Sequence, residues 1–248
     1  RIMAKDMSEA ESQQLELQKA VSALTGRHGS YPLIITEDRW VVQKEMMQKR
    51  LLSHLEIFFP IYARNCEVRR IEKAEAAAFL SACHSYGDAA CRYRYGLYLK
   101  RHTGHIADGD SVSAYAPGTL VAVATFSNAR KWIKGEKVIR SYEWTRYASL
   151  PELRISGGMG KLLKAFIQDV HPDDIMSYAD LEWSEGKVYE QLGFSLDGEK
   201  GPVTFYIDSG FRRLPIKPST DMSDLNVIDD SAGNLIFRNP GSRKYRLK

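Results

Sequence analysis

Three observations predict an α/β (α+β) fold for this 248-residue chain. A glycine-rich stretch, Arg154-Ile155-Ser156-Gly157-Gly158-Met159-Gly160-Lys161-Leu162-Leu163, stands between a strand-like run and an amphipathic helix. Thr119 to Phe126 is a continuous apolar run, the pattern of a strand buried on both faces. Short strand-like runs alternate with helical patterns over a length that suits one large domain, or a core domain with an extension.

Taken in order, residues 8–25 carry Leu17, Val21 and Leu24 at helical spacing, and Gly26 to Ser30 breaks the pattern. Thr36-Glu37-Asp38 can cap a second helix running to about His54, with Met47, Leu51, Leu52 and Leu55 as its apolar stripe. Ile57 to Tyr62 and Cys66 to Ile71 read as strands, and Lys73 to Ala82 as an Ala-rich helix. Between Ser85 and Gly118 the pattern loosens. Tyr93, Tyr95 and Tyr98 alternate with Arg92, Arg94 and Lys100, which suits a strand edge with snorkelling arginines or a base-stacking surface. His102 to Asp110 reads as a loop. Lys131 to Ile139 is a strand or hairpin arm, and Arg140 to Ala148 a strand. The helix over 160–170 stops at His171-Pro172. Ile175 to Ala179 is a strand, Glu185 to Leu192 a short helix with Gly193 as its C-cap, and Phe194 and Pro202 to Ile207 are closing strands.

Composition is that of a globular protein, with 44% hydrophobic and 27% charged residues and a net charge of +4. The segment 211–248 holds eight Lys/Arg against four Asp, so it alone matches the whole excess. It reads as a solvated basic tail, with contact to an anionic partner as the competing reading. Three scattered cysteines, Cys66, Cys83 and Cys91, suit reduced thiols and a cytoplasmic setting. The first residues have no long apolar core, so no signal peptide is expected there, and no run approaches the ~20 apolar residues of a membrane span. Cys83, His84, Cys91, His102 and His105 fit no familiar zinc spacing, and no metal is expected.

Glycines between a strand and a helix let the backbone approach a ligand closely, and the first helical turn offers free N–H groups and a positive dipole end. The stretch therefore suits a phosphate-bearing cofactor, against the plainer reading of a glycine turn with no ligand. A Walker loop is excluded because Leu162, not Ser or Thr, follows Gly160-Lys161. The dinucleotide pattern Gly-x-Gly-x-x-Gly fails as well, because Leu163 stands at its last position. What remains is similar to the Gly-x-Gly-x-x-Leu of an acyl-CoA pyrophosphate loop.

With Gly158-Met159-Gly160-Lys161-Leu162-Leu163 after a strand, and Val188-Tyr189-Glu190-Gln191-Leu192-Gly193-Phe194 further on, residues 66–208 resemble the GNAT superfamily of N-acetyltransferases. The run Tyr178 to Phe194 also resembles GNAT-like proteins of phages and mobile elements. The chain departs from the family pattern in two places. Arg154 lies one residue too far from the glycines, and Glu182-Trp183-Ser184 stands where an asparagine is often found.

The resemblance implies a mixed, mostly antiparallel sheet with a V-shaped splay between two parallel strands, 140–148 and 175–180, flanked by helices. It implies a division into an N-terminal helical extension with a short strand (1–65), a GNAT-like acyltransferase domain (66–210) and a basic C-terminal segment (211–248). It further implies an acyl-CoA, most simply acetyl-CoA, passing its acyl group to an amine by direct attack. Backbone groups at Tyr147, Ala148 and Ser149 would pair with the pantetheine arm. The N–H groups of Gly157, Gly158, Met159, Gly160 and Lys161 would hold the pyrophosphate, with Arg154 adding charge. Tyr189 matches the acid that protonates the thiolate. Glu143, expected to face the same side as Thr145 and Tyr147, is the candidate base, and Asp180 a second. A small-molecule or peptide amine is the expected acceptor, with no membrane partner. A nucleic-acid-binding or nucleobase-modifying GNAT-like protein, a non-catalytic interaction domain and a dimer all stay open.

Overall fold

The computed structural model describes residues 3–107, 111–216 and 235–248, with backbone alone over 104–107 and 111–114. The chain opens with helix α1, Met7–His28. Asp6 caps it by accepting the Glu9 N–H at 2.8 Å, and Gly29 ends it at φ 68. The expected second helix is two, α2 Glu37–Val42 and α3 Lys44–His54, parted at Gln43. Met47 of its stripe is buried, whereas Leu51, Leu52 and Leu55 are exposed.

Strand β1, Phe59–Tyr62, leads through a 3₁₀ turn, Ala63–Asn65, into β2, Cys66–Arg70, and helix α4, Lys73–Cys83. The loose region then becomes ordered strand. It contains β3, Tyr93–Leu99, and a hairpin of β4, Thr103–Ala107, and β5, Ser111–Tyr115, where a loop was expected. Next come β6, Leu120–Phe126, β7, Arg130–Lys134, and the long β8, Lys137–Ser149. An unexpected strand β9, Leu153–Ser156, precedes helix α5, Gly158–Val170, and strand β10, Asp174–Asp180. The chain closes with helix α6, Lys187–Gln191, and strands β11, Ser195–Lys200, β12, Thr204–Ile207, β13, Arg213–Pro215, β14, Leu235–Arg238, and β15, Ser242–Leu247.

The residues gather into two compact units. One comprises Arg1–Met47, Tyr178–Gln191 and Ser195–Tyr245, the other Gln48–Ser177, Leu192–Phe194 and Arg246–Lys248. Residues 1–65 thus contribute to both units, as do residues 211–248. In the larger unit the strand order is β10-β8-β6-β3-β2, with β7 on β8. All of these neighbours are antiparallel except β8 and β10. The fold is therefore α+β, with a mixed, mostly antiparallel sheet that contains one parallel central pair.

Each face of this sheet carries a helix. Ala76 and Leu80 of α4 pack with Val123 and Ala148. On the other face Phe166 of α5 lies flat on Phe126, ring centroids 3.8 Å apart, with Tyr93, Tyr95 and Tyr142 edge-on around it. The Arg/Tyr stretch is interior and not at an edge: β3 runs between β2 and β6 with Tyr95 and Tyr98 buried.

In the smaller unit β12 pairs with β13 and β14 over a core of Met3, Phe205, Ile207 and Phe237. Its other feature is a buried ion network. Glu182 is fully buried and bonds Arg39 at 2.9 Å and Arg213 at 2.7 Å, while Arg213 also binds Asp38 and, at 2.6 Å, Thr36. Burial pushes the Glu182 carboxyl up, with Arg213 and Arg39 opposing. For Asp38, burial works against ionisation, yet the Arg213 bond holds its carboxyl below the usual range. Two carboxylates and two guanidiniums make the cluster neutral. Among its described residues the carboxy-terminal segment is accordingly no solvated tail. Besides Arg213, Arg238 pairs with Glu11, Arg243 with Glu199, Lys244 with Asp197 and Arg246 with Asp174; Lys217 lies outside the described residues.

Replacing Glu182 by Ala removes the carboxylate that Arg39 and Arg213 share and leaves the buried cluster with an excess positive charge. Urea titration should show a loss of ~3–5 kcal/mol, and a loss below about 1 kcal/mol would contradict the network's role.

Candidate cofactor site

Strands β8 and β10 are in parallel register only from Asp174 opposite Ser141 to Met176 opposite Glu143. Beyond that pair β8 runs on to Ser149 in register with β6. The Ser177 hydroxyl donates to the Trp144 carbonyl at 3.0 Å, just where the strand ladder ends. This parting corresponds to the expected splay.

A bulge sets how β8 presents its residues to it. Phe126 pairs with Trp144, but Thr125 pairs with Arg146, so Thr145 is the extra residue. Its hydroxyl meets that of Thr125 at 2.8 Å. Because of the extra residue, Trp144 and Tyr147 share one face of the sheet, their rings 6.2 Å apart, and Glu143 lies on the other. Glu143 and Thr145 do share a face as expected; Tyr147 is the one that turns away. Backbone directions follow from the Leu150 N–H, which donates to Val121 at 2.9 Å. By alternation Ala148 also directs its N–H and C=O at β6, and those of Tyr147 and Ser149 turn to the opposite edge. Of Tyr147, Ala148 and Ser149, the three residues expected along a pantetheine arm, two direct backbone groups to the edge away from β6.

After Ser149 the chain reaches the glycines through β9, which pairs in parallel with β1 (Tyr62 opposite Ser156). Leu153 and Ile155 are buried, while Arg154 and Ser156 are exposed. The Arg154 guanidinium lies 5.1 Å over the Phe58 ring. Gly157 has φ 77, a left-handed conformation that glycine adopts without strain, and is the N-cap of α5. A Cβ on Gly158 would stand 2.9 Å from Ile155 Cγ2 and 3.4 Å from the Tyr147 hydroxyl, so only glycine fits between helix and strand. Burial pushes the Tyr147 phenol well above its usual value.

The Lys161 N–H is already given to the Gly157 carbonyl at 3.0 Å. The donors at the helix start are therefore those of Gly158, Met159 and Gly160, which a helix leaves without an internal acceptor. They fit a phosphate group at the positive end of a thirteen-residue helix. The Lys161 ammonium does a different job. It donates to the carbonyls of Ala63 at 2.9 Å and Cys66 at 2.5 Å, and so fastens the 3₁₀ turn beside the glycines. That neighbour had no motif to reveal it. Tyr62 is exposed, and the Arg64 guanidinium sits 4.6 Å over its ring.

Tyr189 belongs to the smaller unit, where it stacks on Tyr245 with ring centroids 5.3 Å apart. Asp180, in the same unit, receives the Glu182 N–H at 2.9 Å. Among the described residues no His, Cys, Asp and Glu group is placed to hold a metal, and the His105 side chain lies outside them. Nor is any described helix long and apolar enough to cross a membrane.

No protein-family model matches the sequence, and no curated protein does. Solved structures do resemble it. One is a conserved Enterococcus faecalis protein described as a probable N-acyltransferase, at TM-score 0.38 and 12% identity, covering 58% of this chain and 35% of that one. Eis1 from Mycobacterium abscessus aligns at TM-score 0.35 and 17% identity, over 62% and 36%. The AtaT toxin, solved as a mutant with the C-terminus of antitoxin AtaR and acetyl-CoA, aligns at TM-score 0.32 and 12% identity, over 70% and 93%. The chain spans about a third of the length of the first two. With all three scores this low, the functional reading rests on the geometry of β8, β9 and α5.

Replacing Lys161 by Met removes two charge-assisted bonds, and chemical denaturation should report a loss of about 1.5–3 kcal/mol. An unchanged midpoint would show that the ammonium does not fasten the turn.

Proposed function

We propose that the chain is a CoA-dependent N-acyltransferase, with acetyl-CoA as donor and an amine, of a small molecule or a peptide, as acceptor. One observation carries the reading. The edge of β8 that parts from β10 directs the N–H and C=O groups of Tyr147 and Ser149 outward, and the same chain then runs through β9 to the free N–H groups of Gly158 to Gly160. An extended arm with amides and a diphosphate at one end matches that sequence of groups: strand-like pairing for the amides, a helix start for the phosphates.

Bound acetyl-CoA supplies an acyl thioester whose leaving group is a thiolate. The chain's own part is to orient, polarise and move protons. An N–H on the open edge of β8 polarises the thioester carbonyl and stabilises charge developing on its oxygen. Glu143, at the last paired position before the strands part, takes a proton from the acceptor ammonium so that the nitrogen lone pair can attack. Tyr189, by its match to the family motif, returns a proton to the thiolate as the carbon–sulfur bond breaks. Arg154 stands on the exposed face of β9 and adds positive charge beside the glycines.

Calorimetric titration with acetyl-CoA tests the reading, using a Gly157→Asp variant as control. Asp tolerates the left-handed conformation better than most residues, and its carboxylate favours a helix start while repelling a diphosphate. The expected result is micromolar binding to the wild type and at least a tenfold loss in the variant, whose thermal midpoint stays within a few degrees. Absence of heat with millimolar acetyl-CoA would overturn the proposal. Once an acceptor is found, Tyr189→Phe and Glu143→Gln should each lower kcat by about 10²-fold or more with acetyl-CoA affinity unchanged. A loss confined to affinity would remove that residue from proton transfer.

A further inference from the structure

The strongest unused feature of the molecule is the hairpin of β7 and the start of β8. Its strands pair from Arg130 opposite Ser141 to Lys134 opposite Lys137, across a two-residue turn led by Gly135 at φ 63. Every residue of β7 is exposed, and β7 pairs with β8 alone among the described residues. Ile133 is 75% exposed, Val138 58% and Trp132 43%, a high degree of exposure for apolar side chains. Arg130, Lys131, Lys134 and Lys137 surround them, with Glu136 the one acid of the tip. None of these four cations has an ion pair among the described residues. Arg140, further down, is tied to Asp173 at 3.3 Å and to the His171 carbonyl at 2.5 Å.

Two pairs set like charges directly across the strands, Lys131 opposite Arg140, which Asp173 already engages, and Lys134 opposite Lys137, which nothing among the described residues compensates. Such pairs weaken an isolated hairpin and favour an anion that lies against both partners. Alternation spreads the charge over both faces of the ribbon. Arg130, Lys134 and Lys137 lie on one face with Trp132, and Lys131 and Arg140 on the other with Ile133 and Val138. We propose that this hairpin is a docking element for duplex DNA, entering the major groove with phosphates on either side. A B-form major groove, about 12 Å wide, admits a two-stranded ribbon and flanks it with phosphate rows. A membrane surface meets such a ribbon from one side and leaves the unpaired Lys131 of the other face unused, Arg140 there being held by Asp173. The stretches from which nucleic-acid contact was expected suit it less. Tyr95 and Tyr98 are buried in β3, and Arg238, Arg243, Lys244 and Arg246 are paired with carboxylates.

The proposal stands apart from acyl transfer and is tested on the full chain. Anisotropy of a fluorescein-labelled duplex of about 25 base pairs, titrated with protein over a series of salt concentrations, reads both affinity and counterion release. Four phosphate contacts give a slope of log K against log salt near −3.6, at about 0.9 per contact. The double variant K134Q/K137Q, altered only at the exposed tip, should reduce that slope by about 1.8 and keep its thermal midpoint and acetyl-CoA response. Trp132→Ala should weaken binding with the slope kept. The proposal is overturned if the duplex does not bind at low salt, or if binding survives K134Q/K137Q with the same slope. It is overturned equally if phosphatidylserine vesicles, and not the duplex, lose the protein in the double variant.

Discussion

The geometry of the larger unit depends on one local feature of β8, the extra residue Thr145 in its pairing with β6. From Ser141 to Glu143 it pairs with β10, and from Trp144 to Ser149 with β6. The Thr145 bulge lies just past the point where the β10 pairing on the other edge ends; it leaves Trp144 stacked on Phe126 and brings Tyr147 to the same face. Phe166 completes the arrangement by lying flat on Phe126, which anchors α5 against the sheet. The face that Tyr147 occupies, and the direction of the backbone groups of β8 past the bulge, are thus consequences of a single extra residue. A strand without the bulge would keep Tyr147 on the Glu143 face, away from Gly158.

That dependence explains what was legible in the sequence. The glycine turn was, because Gly157 needs a positive φ and Gly158 has no room for a side chain, and both demands leave glycine in the text. The buried strand at Leu120–Phe126 was, because burial on both faces leaves a nearly continuous apolar run, with Thr125 as its one polar residue. The bulge was not. Thr145 is an ordinary strand residue, and alternation read straight through it puts Tyr147 on the wrong face. Strand β9 also escaped notice: four residues with one short alternation gain their identity from β1, a partner remote in the chain. Likewise the break at Gln43 divides a helix whose leucines are at the right spacing yet face solvent, since periodicity reports a stripe and not what covers it.

The fastening of the glycine turn illustrates how a site residue and a supporting residue can look alike. Lys161 follows a glycine motif and invites reading as a phosphate ligand through its side chain. Its ammonium instead satisfies the carbonyls of Ala63 and Cys66, and its N–H closes the first helical bond. The donors that remain are backbone groups of residues whose side chains do nothing polar. This division suits a phosphate site that must stay rigid. In the proposed site the side chain would hold the scaffold, and the helix start, which costs no rotamer freedom, would meet the phosphate.

Charge counting was the least reliable guide, for a physical reason. A sum over residues cannot tell a paired cation from a bare one, and here the two are segregated. Arg213 is buried between two carboxylates, and the cations of β14 and β15 are engaged as well. The β7–β8 tip keeps its cations bare. Edge protection explains part of this, because lysines on an exposed edge strand discourage pairing with another chain. It does not explain Trp132 and Ile133, which raise the hazard that the lysines lower. Nor does it explain Lys137, which lies on the partnered strand opposite Lys134. Like charges set across a ribbon, with an aromatic ring beside them, are favourable when an anion lies against both. That requirement separates the hairpin from the paired cations elsewhere in the chain.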